Sequence, residues 1–152
     1  MKQRILCPTD FSDTSTAALR YAEELARKMD AELVIAHAFK RPATWDMEGQ
    51  SEPASEDVRV QFEAITSDLP FTRVLHAGPP GPVICWLAQE HECGLIVMGT
   101  HGRTGLKHLL FGSTAEYVLQ HARCPVLSVR DRPKDEPRLQ EPIVLPLPGP
   151  GA

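Results

Sequence analysis

No apolar run in this 152-residue chain approaches the ~18–20 residues needed to cross a bilayer, so no spanning helix is expected. The opening Met1-Lys2-Gln3-Arg4-Ile5-Leu6-Cys7-Pro8 carries two positive charges but no apolar stretch of signal-peptide length, and a soluble, cytoplasmic protein is the expectation. A basic surplus is missing as well. Sixteen Lys and Arg stand against twenty Asp and Glu, for a net charge of −4, which argues against nucleic acid as a partner. The four cysteines, at 7, 85, 93 and 124, include no C-x-x-C pair and are too sparse for a disulfide framework. Cys85 and Cys93 would lie about 80° apart around a helix, so free thiols in a reducing compartment are expected. The six histidines (37, 76, 91, 101, 108 and 121) never take zinc-ligand spacing, and His91-x-Cys93 alone is weak. No metal site built from side chains is expected.

What is present is an ordinary globular composition, 42% hydrophobic and 24% charged, at about one domain's length. The chain divides once. Residues 131–152 hold six prolines in 22 residues and read as an extended or disordered tail, on which Ile143-Val144-Leu145 either docks or hangs free. Residues 1–130 keep a charge of 13 − 16 = −3 and are long enough for one core.

Within 1–130 two hydrophobic periods alternate. Arg4 to Cys7 is a short apolar run stopped by Pro8, the pattern of a buried strand. Ser12 is a good N-cap for a helix whose stripe is Ala18, Ala22, Leu25, Ala26 and Met29, with Asp30 placed for a left-handed stop. Glu32 to Phe39 is a second strand, 40–54 a loop, and Val58, Phe62 and Ile65 mark a helix over 55–67. Phe71 to His76 is a third strand. Pro82 suits a first helical position ahead of Val83, Ile84, Leu87, Ala88 and His91. Leu95 to Met98 lacks polar alternation, as expected of a strand covered on both faces. Ala115, Val118, Leu119 and Ala122 mark a last helix, and Val126 to Val129 a last strand. Strict alternation of strand and helix predicts an α/β domain with a parallel sheet.

After the fourth strand comes Gly99-Thr100-His101-Gly102-Arg103, then Gly112-Ser113-Thr114 entering a helix. Glycine lets backbone approach an anion closely, and a helix N-terminus offers N–H groups to phosphate. Ser113 and Thr114 add hydroxyls, while Arg103 and Lys107 add charge. The spacing is neither a Walker loop nor a G-x-G-x-x-G fingerprint. A phosphate cradle and a turn needed only for chain geometry both remain open on these residues alone. Asp10 likewise has two readings, a ligand contact or a favourable charge at a helix N-terminus.

The segment resembles the universal stress protein family, whose ATP-binding branch carries Gly-x2-Gly-x9-Gly-(Ser/Thr). Here that pattern stands as Gly99-x2-Gly102-x9-Gly112-Ser113. The likeness runs over about residues 2–130 and takes in Ile5 to Ser12, His37-Ala38 and Arg123 to Val129. It implies a Rossmann-like single domain, a five-stranded parallel sheet ordered 3-2-1-4-5 with helices on both faces. It implies ATP with Mg2+ as ligand. Pro8, Thr9 and Asp10 would hold adenine and ribose, and Ala38 would offer backbone to adenine. Met98 and Gly99 would line the ribose side. Gly102, Arg103, Gly112, Ser113 and Thr114 would meet the triphosphate, with the metal held mainly by phosphate and water. A short second helix, Gly94 in place of a common Asp, and the Pro-rich tail depart from the family pattern.

No Ser/His/Asp or Cys/His pairing suggests catalysis, and His101 and His108 read as solvated or phosphate-bonding side chains. The expected function is a nucleotide-responsive stress regulator. A slow ATP hydrolase and a scaffold without nucleotide are the alternatives. The resemblance also implies a homodimer through strand 125–130, whose apolar edge carries no charge before Arg130.

Overall fold

The computed structural model describes residues 1–40, 54–101, 111–131, 135–143 and 149. Strand β1 (Arg4–Pro8) is apolar from Ile5 to Pro8 and lies at the centre of the sheet. Because successive side chains point to opposite faces, it feeds two cores at once. Ile5 and Cys7 belong to one apolar cluster and Leu6 to the other. β2 (Glu32–Phe39) does the same, with Leu33 and Ile35 on one side and Val34 and Ala36 on the other. β3 (Phe71–Ala77), β4 (Leu95–Gly99) and β5 (Val126–Val129) complete a parallel sheet ordered β3-β2-β1-β4-β5, the order expected.

Helices cover both faces. α1 (Asp13–Met29) begins where Ser12 accepts the Ser15 N–H, and ends at Asp30 with φ 50°, whose N–H donates to the Ala26 carbonyl. Its buried stripe is Ser15, Ala18, Ala22 and Ala26, small residues that let the helix lie close on Ile5, Cys7 and Val97. α2 (Glu56–Glu63) adds Phe62 to the same face. α3 (Pro80–Glu90) and α4 (Ser113–His121) cover the other face with Val83, Ile84, Leu87, Ala115 and Val118.

Four details differ from expectation. α2 stops at Glu63 rather than at 67, and Ile65 reaches the core from the loop that follows. α3 starts at Pro80, so Pro82 is its third residue; both prolines fall in the first turn, where no intrahelical N–H bond is lost. Met29, the last residue of α1, is 42% exposed where the chain turns into β2. Leu119 is 41% exposed, because the short α4 buries only a narrow stripe through Ala115 and Val118. Past residue 130, Ile143 is 90% exposed, and Val144 and Leu145 lie outside the described residues.

The strand registers are unequal. β2 pairs with β3 over seven residues and with β1 over five, from Arg4↔Glu32 to Pro8↔Ala36. β1 meets β4 over two pairs only, Ile5↔Leu95 and Leu6↔Ile96. Beyond Leu6 the carboxyl ends of β1 and β4 therefore part.

Candidate functional site

The parting of β1 and β4 opens a cavity of about 510 Å³ at the carboxyl edge of the sheet. This is the switch point of an open α/β sheet, where chains leave in opposite directions and a crevice is unavoidable. Its volume falls within the ~300–1,000 Å³ usual for small-molecule sites.

One wall is the turn from β1 to α1. Pro8 has no N–H, but the next amide, Thr9 N–H, donates to the Ala36 carbonyl at 2.8 Å and so fixes the start of the turn. The hydroxyls below it form a directed chain. Ser15 Oγ donates to the Ser12 carbonyl at 2.9 Å. Its single proton being committed there, Thr9 Oγ1 is the donor in the 3.2 Å contact with Ser15 Oγ, and it accepts the Phe11 N–H at 3.0 Å. Thr9 and Ser15 are both buried, and this chain satisfies them. Asp10 Oδ1 accepts the Ser12 N–H at 3.0 Å, which sets the carboxylate's orientation at the cavity rim.

The other wall is made by β4 and α4. Thr100 N–H donates to the Val129 carbonyl at 3.0 Å, and Gly112 N–H to the Thr100 carbonyl at 2.7 Å. That second bond returns the chain to the strand end and places the first turn of α4 on the cavity. Gly112 is the N-cap residue and supplies no side-chain cap, so the early amides of α4 face the cavity without a competing side-chain acceptor from that position. Thr100 Oγ1 lies 2.9 Å from His101 Nδ1.

Nine of the eleven residues singled out in the sequence line this one cavity: Pro8, Thr9, Asp10, Ala38, Met98, Gly99, Gly112, Ser113 and Thr114. Gly102 and Arg103 lie outside the described residues, as do Lys107 and His108. The sequence reading missed Ser15, His37, Lys40, Pro80, Ile84, Thr100 and Ala115, which also line it, while His101, read as solvated or phosphate-bonding, is in the lining too. His37 had a faint signal, since it is the one polar residue in the otherwise apolar second half of β2. Gly99 has a packing requirement of its own. A Cβ there would lie 2.7 Å from Thr14 Cγ2 and 3.1 Å from the Thr14 carbonyl carbon. Glycine is needed at that point for α1 to lie on β4, whatever else approaches it.

The thiols sit apart from the cavity. Complete burial pushes Cys7 up to about 12, with Glu23 adding to the effect. Burial pushes Cys93 up to about 11, helped by Cys124 and opposed by Arg4. Cys85 is raised by burial and then by Cys124, and Cys124 mainly by burial. Among the described residues, no group of three or more His, Cys, Asp or Glu side chains could hold a metal ion. Among them, too, no helix is long and apolar enough to cross a membrane.

Fold and crevice together define an open, parallel α/β protein with a pocket at its switch point, lined by both apolar and polar residues. Residues 1–130 match the universal stress protein family, and the chain belongs to it. A universal stress protein of Methanocaldococcus jannaschii is 33% identical over 145 residues, covering 88% of this chain and 85% of that protein. One from Thermus aquaticus is 32% identical over 137 residues, covering 86% of this chain and 100% of the relative. Among solved structures, the universal stress protein UspA from Lactobacillus plantarum has a TM-score of 0.64 at 28% identity, over 84% of this chain and 97% of that one. A universal stress protein solved in complex with cAMP has a TM-score of 0.62 at 25% identity, over 84% of this chain and 95% of its own.

Proposed function

We propose that this protein binds ATP in the switch-point cavity and acts, as a homodimer, as a nucleotide-responsive regulator of stress tolerance. The observation that carries the reading is the convergence on one cavity of nine positions chosen for adenosine and phosphate contacts. The two walls suit the two ends of a nucleotide. Asp10, oriented by its bond to Ser12, suits ribose hydroxyls as a hydrogen-bond acceptor. The opening turn of α4, with Ser113 and Thr114, suits phosphate, because helix amides and dipole both favour an anion there. Lys40 adds a cation to the lining. The cAMP complex of a similar protein supports an adenine nucleotide as the ligand class. The described side chains offer Mg2+ hydroxyls rather than a carboxylate cluster, so the ion fits as one carried by the phosphates and water.

Residues 102 and 103 belong to the same proposal as further phosphate contacts. The dimer rests on β5, which pairs with β4 on one side and forms the sheet's end. Residues 131–152 are proposed as an appendage to this unit.

Denaturing the purified protein and identifying the released small molecule tests the reading, with calorimetric ATP titration beside it. A Gly112→Val protein sharpens the test. Gly112 has φ −72° and ψ 165°, extended backbone that a β-branched residue also adopts, so the fold is expected to survive. Two added methyl groups would keep phosphate from the α4 amides, and ATP binding should vanish. Unchanged ATP affinity in the folded Gly112→Val protein would remove the proposed phosphate site.

A further inference from the structure

Phe11 has φ 65°, in the left-handed region that bulky residues avoid. A residue held there needs surroundings that over-determine it. Its N–H is taken by Thr9 Oγ1 at 3.0 Å. Its ring rests against the imidazole of His37, with centroids 4.5 Å apart. The same imidazole reaches the other end of the turn, where Nδ1 lies 2.7 Å from the Thr9 carbonyl oxygen. A carbonyl oxygen only accepts, so Nδ1 carries the hydrogen and donates it. His37 therefore grips the turn twice, once by its backbone and once by a ring. Strand register explains how it gets there. Pro8 pairs with Ala36, so His37 stands one residue past the end of β1, level with the turn. Phe62 of α2 flanks the imidazole, with centroids 6.3 Å apart.

We propose that His37 is a positioning residue that holds the Thr9–Phe11 turn in its left-handed form, and thereby holds Asp10 where a ribose hydroxyl can meet it. This rests on the nucleotide reading above. The distinction it draws is between the two ends of the ligand. The grip acts on the turn that carries Asp10, while the first turn of α4 is held separately through Gly112 and Thr100. Loss of His37 should weaken recognition of the nucleoside and leave the phosphate end alone. Without the ring and the donor, Phe11 is free to relax to negative φ, and the carboxylate of Asp10 turns with the backbone.

Three substitutions separate the roles of the ring nitrogens. His37→Asn keeps a donor near the position of Nδ1, His37→Gln keeps one near Nε2, and His37→Ala keeps neither. Each protein is titrated with ATP and with inorganic triphosphate, and amide exchange at Phe11 and Ser12 is followed in the unliganded state. Expected for His37→Ala is a loss of about tenfold in ATP affinity, the size of one net hydrogen bond, with triphosphate affinity unchanged. Exchange at both amides should quicken. His37→Asn, which restores the donor but not the ring, should recover part of both effects, and His37→Gln neither. Unchanged exchange in His37→Ala overturns the proposal. So does an equal loss in the Ala and Asn proteins, or an equal loss for both ligands in any of them. If the wild-type protein binds no ATP, the nucleotide reading falls, while the exchange measurements still decide whether His37 holds the turn.

Discussion

A single methyl group at Gly99 tests whether this glycine serves packing or only a ligand. The Cβ of Gly99→Ala would lie 2.7 Å from Thr14 Cγ2, against the ~3.5–4.0 Å of an ordinary carbon contact. The Thr14 methyl could swing aside. The Thr14 carbonyl carbon at 3.1 Å and oxygen at 3.2 Å cannot, because they belong to the first turn of α1, which Ser12 caps. The start of α1 must therefore move off β4. Overpacking of this kind costs about 1–3 kcal/mol. Alanine's stiffer unfolded chain returns about 0.4–1 kcal/mol of that. A net loss of about 1–2 kcal/mol is expected, and for a domain of this size Tm falls by roughly 3–5 °C per kcal/mol. Thermal unfolding without ligand is the assay. Thr14→Ser removes Cγ2 and should recover part of the loss in the double variant, leaving the backbone share. A Gly99→Ala protein as stable as the parent would refute the packing argument. So would a double variant that recovers nothing.

Three further outcomes are expected. Asp10→Ala should weaken ATP binding by about 1.5–3 kcal/mol and leave inorganic triphosphate untouched, as read by paired calorimetric titrations; equal losses would mean the whole turn had collapsed. Light scattering should find dimers both for the full chain and for residues 1–130, and a full chain that dimerises only after truncation would give the tail a capping role at β5 instead. Native-state alkylation at pH 8 should label the partly exposed Cys85 and Cys124 first, then Cys93 and last Cys7. The sign follows from the thiols: a group raised to about 11 or 12 holds almost no thiolate at pH 8, and only thiolate reacts. Mass spectrometry showing Cys7 labelled early, in folded protein, would contradict its burial.

The strands were legible because short unbroken apolar runs such as Leu95 to Met98, bounded by turn residues, fit a strand covered on both faces, and their buried positions agree. Helix ends were less so. Ser12 and Asp30 announced α1 correctly, since caps are local chemistry. The end of α2 was misjudged because Ile65 keeps its helical spacing in the sequence while packing from a loop. Phe11 gave no warning of its positive φ, which depends on His37 from a different strand. The cavity divides along the same line. Glycines and hydroxyls near one another in sequence, such as Gly112 to Thr114, were readable as a group. Ser15, His37 and Thr100 join the lining through sheet register and hydrogen bonds between distant segments, which no local pattern records. Gly99 was found for one reason and is held by another, its contact with Thr14.

The two-pair seam between β1 and β4 has a consequence for how the molecule yields. β1, β2 and β3 are laced together by long ladders, and β4 and β5 by one of four pairs. The domain is in this sense two leaves joined along a short spine, with α1 laid across the joint. Parting the leaves would break few strand-to-strand backbone bonds, though it would also have to lift α1 from one of them. A molecule lodged there would touch Asp10 on one leaf and the head of α4 on the other, acting as a clasp. At a hundred times its Kd it would add about 2.7 kcal/mol against unfolding, and it would do so by closing the joint itself.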